Sequence, residues 1–178
     1  RRSGRDPTAY GERVAVQVEM TIKGLMVDPI TNMPIVILRG KDEGKQRVLP
    51  IWVGIFEANA IALQIENIET PRPMTHDLLR NVIGDLNGAV EKIVVSDLKE
   101  NTFYALIHLR VNDQLVTIDA RPSDAIALAL RVRAPIYAED QVIDNAKTLD
   151  FSPDKADSER LAKWLENLNP EDMGKYKM

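Results

Sequence analysis

The apolar run from Ala125 to Leu130 constrains the fold of this 178-residue chain more than any other feature. Ser123, two residues before the run, is a good helix N-cap. Together they predict a helix over Asp124–Val132 that is apolar almost all round. A helix of that kind is buried, so the rest of the chain must enclose it. Apolar residues make up 44% of the sequence and charged residues 28%, a balance typical of a globular protein with a sizeable core.

Strand patterns occupy much of the remaining sequence. Apolar and polar residues alternate from Val14 to Lys23, which predicts a long, half-buried strand. Further strands are predicted at Ile35–Leu38, Arg47–Trp52, Val90–Leu98, Thr102–Val111, Leu115–Asp119 and Ile136–Ala138. Short polar turns, such as Asn112–Asp113, join most neighbouring strands as hairpins.

Helices are predicted between these strands. Glu57–Ile68 has apolar residues at helical spacing, and two prolines after it prevent the helix from continuing. A second helix is predicted over His76–Asn87, with Thr75 as its N-cap and Gly88 at the position after its end. The predicted class is therefore α+β, with a mixed, largely antiparallel sheet packed with helices in a single compact domain.

Three regions follow along the chain. Residues 1–13 are polar and lack periodicity, so we expect a flexible N-terminal arm. Residues 14–146 form the domain, and residues 147–178 form a linker followed by a C-terminal amphipathic helix. That helix, Ser158–Leu168, places leucines and Trp164 on one face, so we expect it to be buried in a groove of its own domain or of a partner.

The chain contains no cysteine and no apolar run approaching the roughly 20 residues of a membrane span. These absences exclude disulfides and thiolate ligands, predict no membrane partner and favour a reducing, cytoplasmic location. The sequence opens at Arg1, so we expect a processed start, which leaves room for a removed targeting segment. The net charge of −4 and the pI of about 5.3 limit any contact with nucleic acid to local basic surfaces.

Residues 71–78, Pro-Arg-Pro-Met-Thr-His-Asp-Leu, form the first group that could carry chemistry. The prolines hold Arg72 in extended backbone, and the helix start presents His76 and Asp77 beside free backbone N–H groups. An arginine, a histidine and a helix N-terminus together would suit a phosphate group. The simpler interpretation is a proline-bounded loop before a well-formed helix start, and the residues alone leave both open.

Residues 119–124, Asp-Ala-Arg-Pro-Ser-Asp, form the second group. Asp119 ends a strand and Asp124 opens the buried helix, so the two carboxylates could hold a divalent cation. They could equally pair with Arg121 and lock the strand-to-helix joint. Glu57, which opens the first predicted helix, adds a third carboxylate, although an acid in a first helical turn needs no catalytic explanation.

Four segments of the sequence match those of a known family, in order and with comparable spacing. They are Leu49–Ala58 (LPIWVGIFEA), Pro71–Leu78 (PRPMTHDL), Phe103–Ala105 (FYA) and Asp119–Ala129 (DARPSDAIALA), followed by Ala134-Pro135-Ile136. On these segments the chain resembles a bacterial member of the bifunctional nuclease domain family, over about residues 14–146. The resemblance implies a single α+β domain, a homodimer or larger homo-oligomer, and nuclease activity toward both RNA and DNA.

If the domain cleaves phosphodiester bonds, the polar residues of these segments can be given roles. The candidate metal ligands, for Mg²⁺ or Mn²⁺, are the carboxylates Asp119, Asp124 and Glu57. His76 is the candidate general base or acid, and Asp77 is a supporting partner or a further ligand. Arg72 and Arg121 would steady the phosphate charge that grows in the transition state. The alternative is a non-enzymatic regulatory or assembly domain that binds an anion or a protein partner.

Overall fold

The computed structural model describes residues 15–42 and 47–147. In those ranges the chain forms seven strands, β1 (Gln17–Val27), β2 (Pro34–Gly40), β3 (Val48–Trp52), β4 (Gly88–Lys99), β5 (Thr102–Val111), β6 (Gln114–Ala120) and β7 (Ile136–Glu139). The same ranges contain four helices, α1 (Ile55–Ile65), α2 (Thr75–Asp85), α3 (Pro122–Val132) and α4 (Asp140–Ala146). The predicted N-terminal arm and the predicted helix at Ser158–Leu168 lie outside the described residues.

The seven described strands form one sheet in the order β3-β2-β1-β7-β4-β5-β6. β4 and β7 run parallel, and every other neighbouring pair of these strands is antiparallel. The parallel pair arises because β7 enters the middle of the sheet directly after α3, which carries the chain back across it. The predicted α+β class with a mixed, largely antiparallel sheet is confirmed.

Two-residue turns close the hairpins β4–β5 and β5–β6. Glu100 and Asn101 have φ values of 48° and 61°, and Asn112 and Asp113 have φ values of 47° and 63°. A type I′ turn needs positive φ at both central residues, and its twist matches that of the flanking strands. Asparagine and aspartate adopt this conformation more readily than most residues, which is why the predicted hairpin at Asn112–Asp113 forms.

α3 lies at the centre of the core. Residues 125–128 are fully buried and Ala129 is 1% exposed. The helix contacts β4 and β5 of the sheet and has α1 and α2 as neighbours. The predicted buried helix is therefore confirmed, and the burial of its apolar side chains contributes much of the stability of the domain. No helix in the described part of the chain is long and apolar enough to cross a membrane.

α2 differs from its prediction at both ends. The N-cap is Met74 rather than Thr75, and the Asp77 carboxylate accepts a hydrogen bond of 2.8 Å from the Met74 backbone N–H. Asp77 is the third residue of the helix, and its carboxylate satisfies this N–H. The helix therefore starts at Thr75 and does not need a threonine as its N-cap. At the other end Asn87, with φ of 59°, takes the left-handed position predicted for Gly88. Gly88 instead provides space, since a Cβ there would lie 2.9 Å from a backbone oxygen of α2.

α3 also begins differently from its prediction. Ser123 was expected to cap the helix, but Arg121 is the N-cap and Pro122 is the first helical residue. Proline is favoured at this position because its fixed φ suits a helix and its missing N–H would have had no partner. β6 ends at Ala120, so Arg121 alone separates the strand from the helix. This short joint fixes Arg121 at the helix start.

Candidate functional site

The starts of α1, α2 and α3 each carry an acidic residue at the third helical position. These residues are Glu57, Asp77 and Asp124. A carboxylate there is close to the free N–H groups and the positive end of the helix dipole, so each helix start favours it. Each of the three carboxylates also accepts a hydrogen bond from an arginine side chain. Glu57 and Asp124 both bond Arg121, and Asp77 bonds Arg131.

Four side chains form what we call the helix-start cluster: Glu57, His76, Arg121 and Asp124. Arg121 Nε donates to Asp124 Oδ2 over 2.8 Å, and Arg121 Nη1 donates to Glu57 Oε1 over 2.9 Å. His76 Nε2 lies 2.9 Å from Asp124 Oδ1. The cluster joins the starts of α1, α2 and α3, and it brings together four of the seven residues that the sequence predicts for the site.

The cluster is open to solvent on the side of Arg121. The exposed fractions of the Arg121, Asp124 and His76 side chains are 64%, 31% and 11%. Burial raises the pKa of the Asp124 carboxyl, but the hydrogen bonds from Arg121 and His76 outweigh burial and hold that pKa below its usual value. Asp124 is therefore ionised at neutral pH and can only accept. Because this carboxylate cannot donate, His76 Nε2 is the donor of the hydrogen bond between them.

Asp77 makes no hydrogen bond to the cluster and pairs with Arg131. Arg131 Nε donates to Asp77 Oδ1 over 2.7 Å, and its Nη atoms donate to the backbone oxygens of Ala127 and Ala60. Burial raises the pKa of Asp77, but the N–H of Met74 and the Arg131 guanidinium outweigh it and lower the pKa below its usual value. This group ties α2 and α1 to α3. The predicted role of Asp77 beside a substrate stays a prediction.

Sequence reasoning assigned no role to Arg131. The signal was nevertheless present, because Arg131 is a charged residue in a helix that is otherwise apolar almost all round. It follows Asp124 by seven residues, which places both on the same face of α3. A charge in a buried helix must find a partner, so a search for a facing carboxylate would have identified this pair.

Besides Asp77, two further predicted site residues, Asp119 and Arg72, lie outside the cluster. Ala120 packs against the core, and side chains alternate along β6, so Asp119 faces the opposite side of the sheet. Its carboxylate makes no hydrogen bond or ion pair with residues 15–42 or 47–147. Arg72 is an exposed residue of the loop before α2 and lines a pocket together with Arg80 and Arg131.

Of the three predicted metal ligands, Glu57 and Asp124 lie in the cluster and Asp119 does not. Across the described ranges, no three His, Asp or Glu side chains lie close enough to hold an ion. Glu57 and Asp124 are bridged by the Arg121 guanidinium, which supplies the positive charge a cation would bring. In this arrangement the guanidinium lies between the two carboxylates, and the metal role of Glu57, Asp119 and Asp124 stays a prediction.

Residues 36–150 match the family model of the bifunctional nuclease domain. The matched stretch contains α1, α2 and α3 and therefore the whole helix-start cluster. The chain belongs to the bifunctional nuclease domain family. The match begins within β2, so β1 lies outside it although that strand pairs with both β2 and β7 in the sheet.

Individual relatives differ in how much of their length the chain covers. It is 38% identical to an uncharacterised protein of Mycobacterium tuberculosis over 165 residues, which are 86% of this chain and 96% of that protein. It is 29% identical to bifunctional nuclease 2 of Oryza sativa subsp. japonica over 64% of this chain, and 26% identical to bifunctional nuclease 2 of Arabidopsis thaliana over 63%. The chain spans 36% and 37% of those two plant proteins.

Proposed function

We propose that the chain is a nuclease that hydrolyses phosphodiester bonds in RNA and DNA at the helix-start cluster. The observation that carries the proposal is the hydrogen bond between His76 and Asp124 beside the exposed Arg121. A histidine oriented by an ionised carboxylate can transfer protons, and a guanidinium can stabilise the charge that grows on phosphate. The plant relatives are named bifunctional nucleases, which supports the same activity for this member of the family.

In this proposal His76 acts as the general base. Because Nε2 donates to Asp124, the lone pair on Nδ1 is available to take a proton from a water molecule as its oxygen attacks phosphorus. Asp124 then stabilises the imidazolium. The bond between phosphorus and the leaving oxygen breaks as the water oxygen bonds phosphorus; the leaving oxygen takes a proton from solvent water, and the imidazolium returns its proton to solvent. Asp124 thus positions and stabilises His76.

Arg121 binds the phosphate in this proposal. A guanidinium has five N–H donors, and Arg121 uses three of them within the cluster. The remaining donors and the 64% exposure of the side chain allow hydrogen bonds to phosphate oxygens. Glu57 and Asp124 hold the guanidinium in place before a substrate arrives, which lowers the cost of ordering it on binding.

The requirement for Mg²⁺ or Mn²⁺ stays a separate prediction, and no step above depends on it. Assays with each ion and with EDTA test it directly. Turnover that persists in EDTA would contradict the metal prediction and leave the roles of His76 and Arg121 standing.

A second candidate function is that of a non-enzymatic domain that binds an anion or a partner. The observation in its favour is that the four cluster side chains pair with one another, as a lock between three helices would. In that case Asp124→Ala lowers the thermal unfolding midpoint, and the wild-type protein cleaves neither RNA nor DNA.

A cleavage assay separates the two candidates. Purified wild-type protein is incubated with single-stranded RNA and DNA and compared with His76→Gln and Asp124→Asn. The matched control is His108→Gln, which changes a histidine of β5 that lies outside the cluster. We expect the first two variants to lose turnover by about 10²- to 10⁴-fold while the control keeps it. Equal turnover in all four proteins would indicate a contaminating nuclease and end the proposal.

We also propose that the chain forms a homodimer or larger homo-oligomer through the outer face of α2. Leu78, Val82 and Leu86 follow one another at four-residue spacing and are 56%, 44% and 67% exposed. An exposed apolar stripe of this kind is typical of a protein–protein interface. Val82→Glu should shift the sedimenting species toward monomer, whereas Val16→Glu, at a valine that is more exposed, should not. Unchanged sedimentation of Val82→Glu would place any interface elsewhere.

A further inference from the structure

A pocket of about 430 Å³ lies between the end of α1, the loop that follows it and the first turns of α2. None of the four residues of the helix-start cluster lines this pocket. Its volume is in the range of sites that bind small molecules, and its wall is mostly polar. The pocket is therefore a candidate binding site separate from the cluster.

Positive charge exceeds negative charge on the pocket wall. Three arginines line it, namely Arg72 from the loop, Arg80 from α2 and Arg131 from α3. The acidic side chains of the wall are Asp77 and Glu69. Guanidinium groups bind phosphate well because their donors can bond two oxygens at once.

The two arginines at the rim keep their charge unmatched by a direct carboxylate partner. Arg80 Nε and Nη2 both donate to Asn81 Oδ1 over 3.1 Å, and that oxygen belongs to a neutral amide. Arg72 donates to no acceptor among the residues that the structure describes. Asp77, by contrast, already pairs with Arg131. This acid of the pocket wall thus has its own cation.

The pocket wall is also held in place before any ligand binds. Prolines on both sides of Arg72 restrict the loop, and Thr70 Oγ1 donates to the Arg72 backbone oxygen over 2.8 Å. Arg131 is fixed by Asp77 and by two backbone oxygens. A site ordered in advance loses less conformational entropy when a ligand binds.

From these observations we propose that the pocket binds the phosphate group of a ligand about the size of a mononucleotide. Arg72 and Arg80 donate to the phosphate oxygens, and the Arg131–Asp77 pair forms a rigid wall beside them. The amides of Gln64 and Asn67 also line the pocket and can bond the uncharged part of such a ligand. The proposal does not depend on hydrolysis at the helix-start cluster.

Isothermal titration of the full chain tests the proposal. The probes are a nucleoside 5′-monophosphate, inorganic phosphate and the same nucleoside without phosphate. We expect the two phosphate-bearing probes to bind, with the nucleotide tighter, and the nucleoside not to bind. The variants are Arg72→Gln, Arg80→Gln and the double variant, each checked by circular dichroism. Arg133→Gln is the control, because Arg133 is exposed near the end of α3 and does not line the pocket.

Each rim substitution should weaken nucleotide binding about tenfold, because each removes one charge-assisted contact. Arg133→Gln should bind the nucleotide as the wild type does. Binding that survives in a folded double variant, or that needs no phosphate, would overturn the proposal. Loss of binding in Asp124→Asn would also overturn it, because it would move the phosphate site to the helix-start cluster. Failure of the nuclease proposal alone would leave these binding results unchanged.

Discussion

Arg121 and Arg131 lie near opposite ends of α3, and each joins that helix to a carboxylate of a neighbouring helix. At the start, Arg121 is 64% exposed and bonds Asp124 and Glu57. Near the end, Arg131 is 1% exposed and bonds Asp77 and two backbone oxygens. Both groups place a guanidinium beside a carboxylate at the third position of a helix, and they differ in their access to water.

That difference separates a structural tie from a group that can react. The Arg131 side chain is almost wholly buried, so loss of Asp77 leaves a guanidinium with little solvent to stabilise it. Around Arg121 water can replace a lost partner, so the pair contributes little to stability. The same access lets a phosphate compete with Glu57 or Asp124 for the guanidinium. Burial therefore decides which of two chemically similar groups is available for function.

Substitution of Arg131 should cause the largest loss of stability and tests this comparison most directly. Arg131→Met should lower the free energy of unfolding by about 3–5 kcal/mol, because it removes a buried cation and leaves the half-buried Asp77 carboxylate without its partner. Chemical denaturation measures the loss. Arg131→Met combined with Asp77→Asn should recover part of it, since asparagine removes the charge and can still accept from the Met74 N–H. A wild-type denaturation midpoint in Arg131→Met would mean that burial does not distinguish the two groups.

Acid should weaken the fold through the same carboxylates. The pKa values of Asp77 and Asp124 lie below the usual 3.8 in the folded protein. As pH falls through 3.8 the unfolded chain binds protons before the folded one, so the free energy of unfolding decreases. The contribution is fully present above that pH and is lost once pH passes below the folded pKa values. Denaturation at a series of pH values should show a shallower decline for Asp77→Asn than for the wild type, and equal slopes would contradict the assignment.

Local signals in the sequence predicted much of the fold. The apolar run in α3 and the Asn112–Asp113 turn each determine their own conformation, so both predictions were confirmed. The position of β7 could not be predicted in the same way. Ala138 pairs with Val18 on one side and Val95 on the other, and these partners are distant in the chain. Periodicity within a four-residue strand carries no information about which strands it joins.

The candidate site, like the fold, was predictable only where the signal is local in the sequence. An acid or a histidine at a helix start can be recognised from the sequence, and the folded chain brings His76 and Asp124 together. Spacing along the chain could not show that Asp119 faces the other side of the sheet. That orientation depends on the register of β6 against β5, in which Ala120 lies opposite the buried Ala105. The face that a side chain of β6 takes is therefore decided by how that strand pairs with β5, which the local sequence does not reveal.

Substitution at the open end of α3 should change stability much less than substitution of Arg131. Arg121→Gln should lower the free energy of unfolding by about 1 kcal/mol or less, because the side chain is exposed and water replaces its partners. If the cluster is the nuclease site, the same variant should lose cleavage by about 10²-fold, as the loss of one group that stabilises transition-state charge does. Denaturation and cleavage are measured on one preparation. A loss of stability as large as that of Arg131→Met would make the cluster a lock and favour the non-enzymatic candidate.

The smallest effect is expected at an exposed pair on β4 and β5, which gives the baseline for the comparison. Arg110 Nε donates to Glu91 Oε1 over 2.6 Å, yet the two side chains are 44% and 37% exposed. Arg110→Gln should change the free energy of unfolding by about 0.5 kcal/mol or less, because solvent screens the attraction and ordering two long side chains opposes it. If Arg110→Gln and Arg121→Gln lower the free energy of unfolding by the same amount, exposure alone accounts for the stability contribution of both pairs. If Arg110→Gln lowered the free energy of unfolding as much as Arg131→Met does, a short distance would matter more than burial. Burial would then not explain the difference between the two ends of α3.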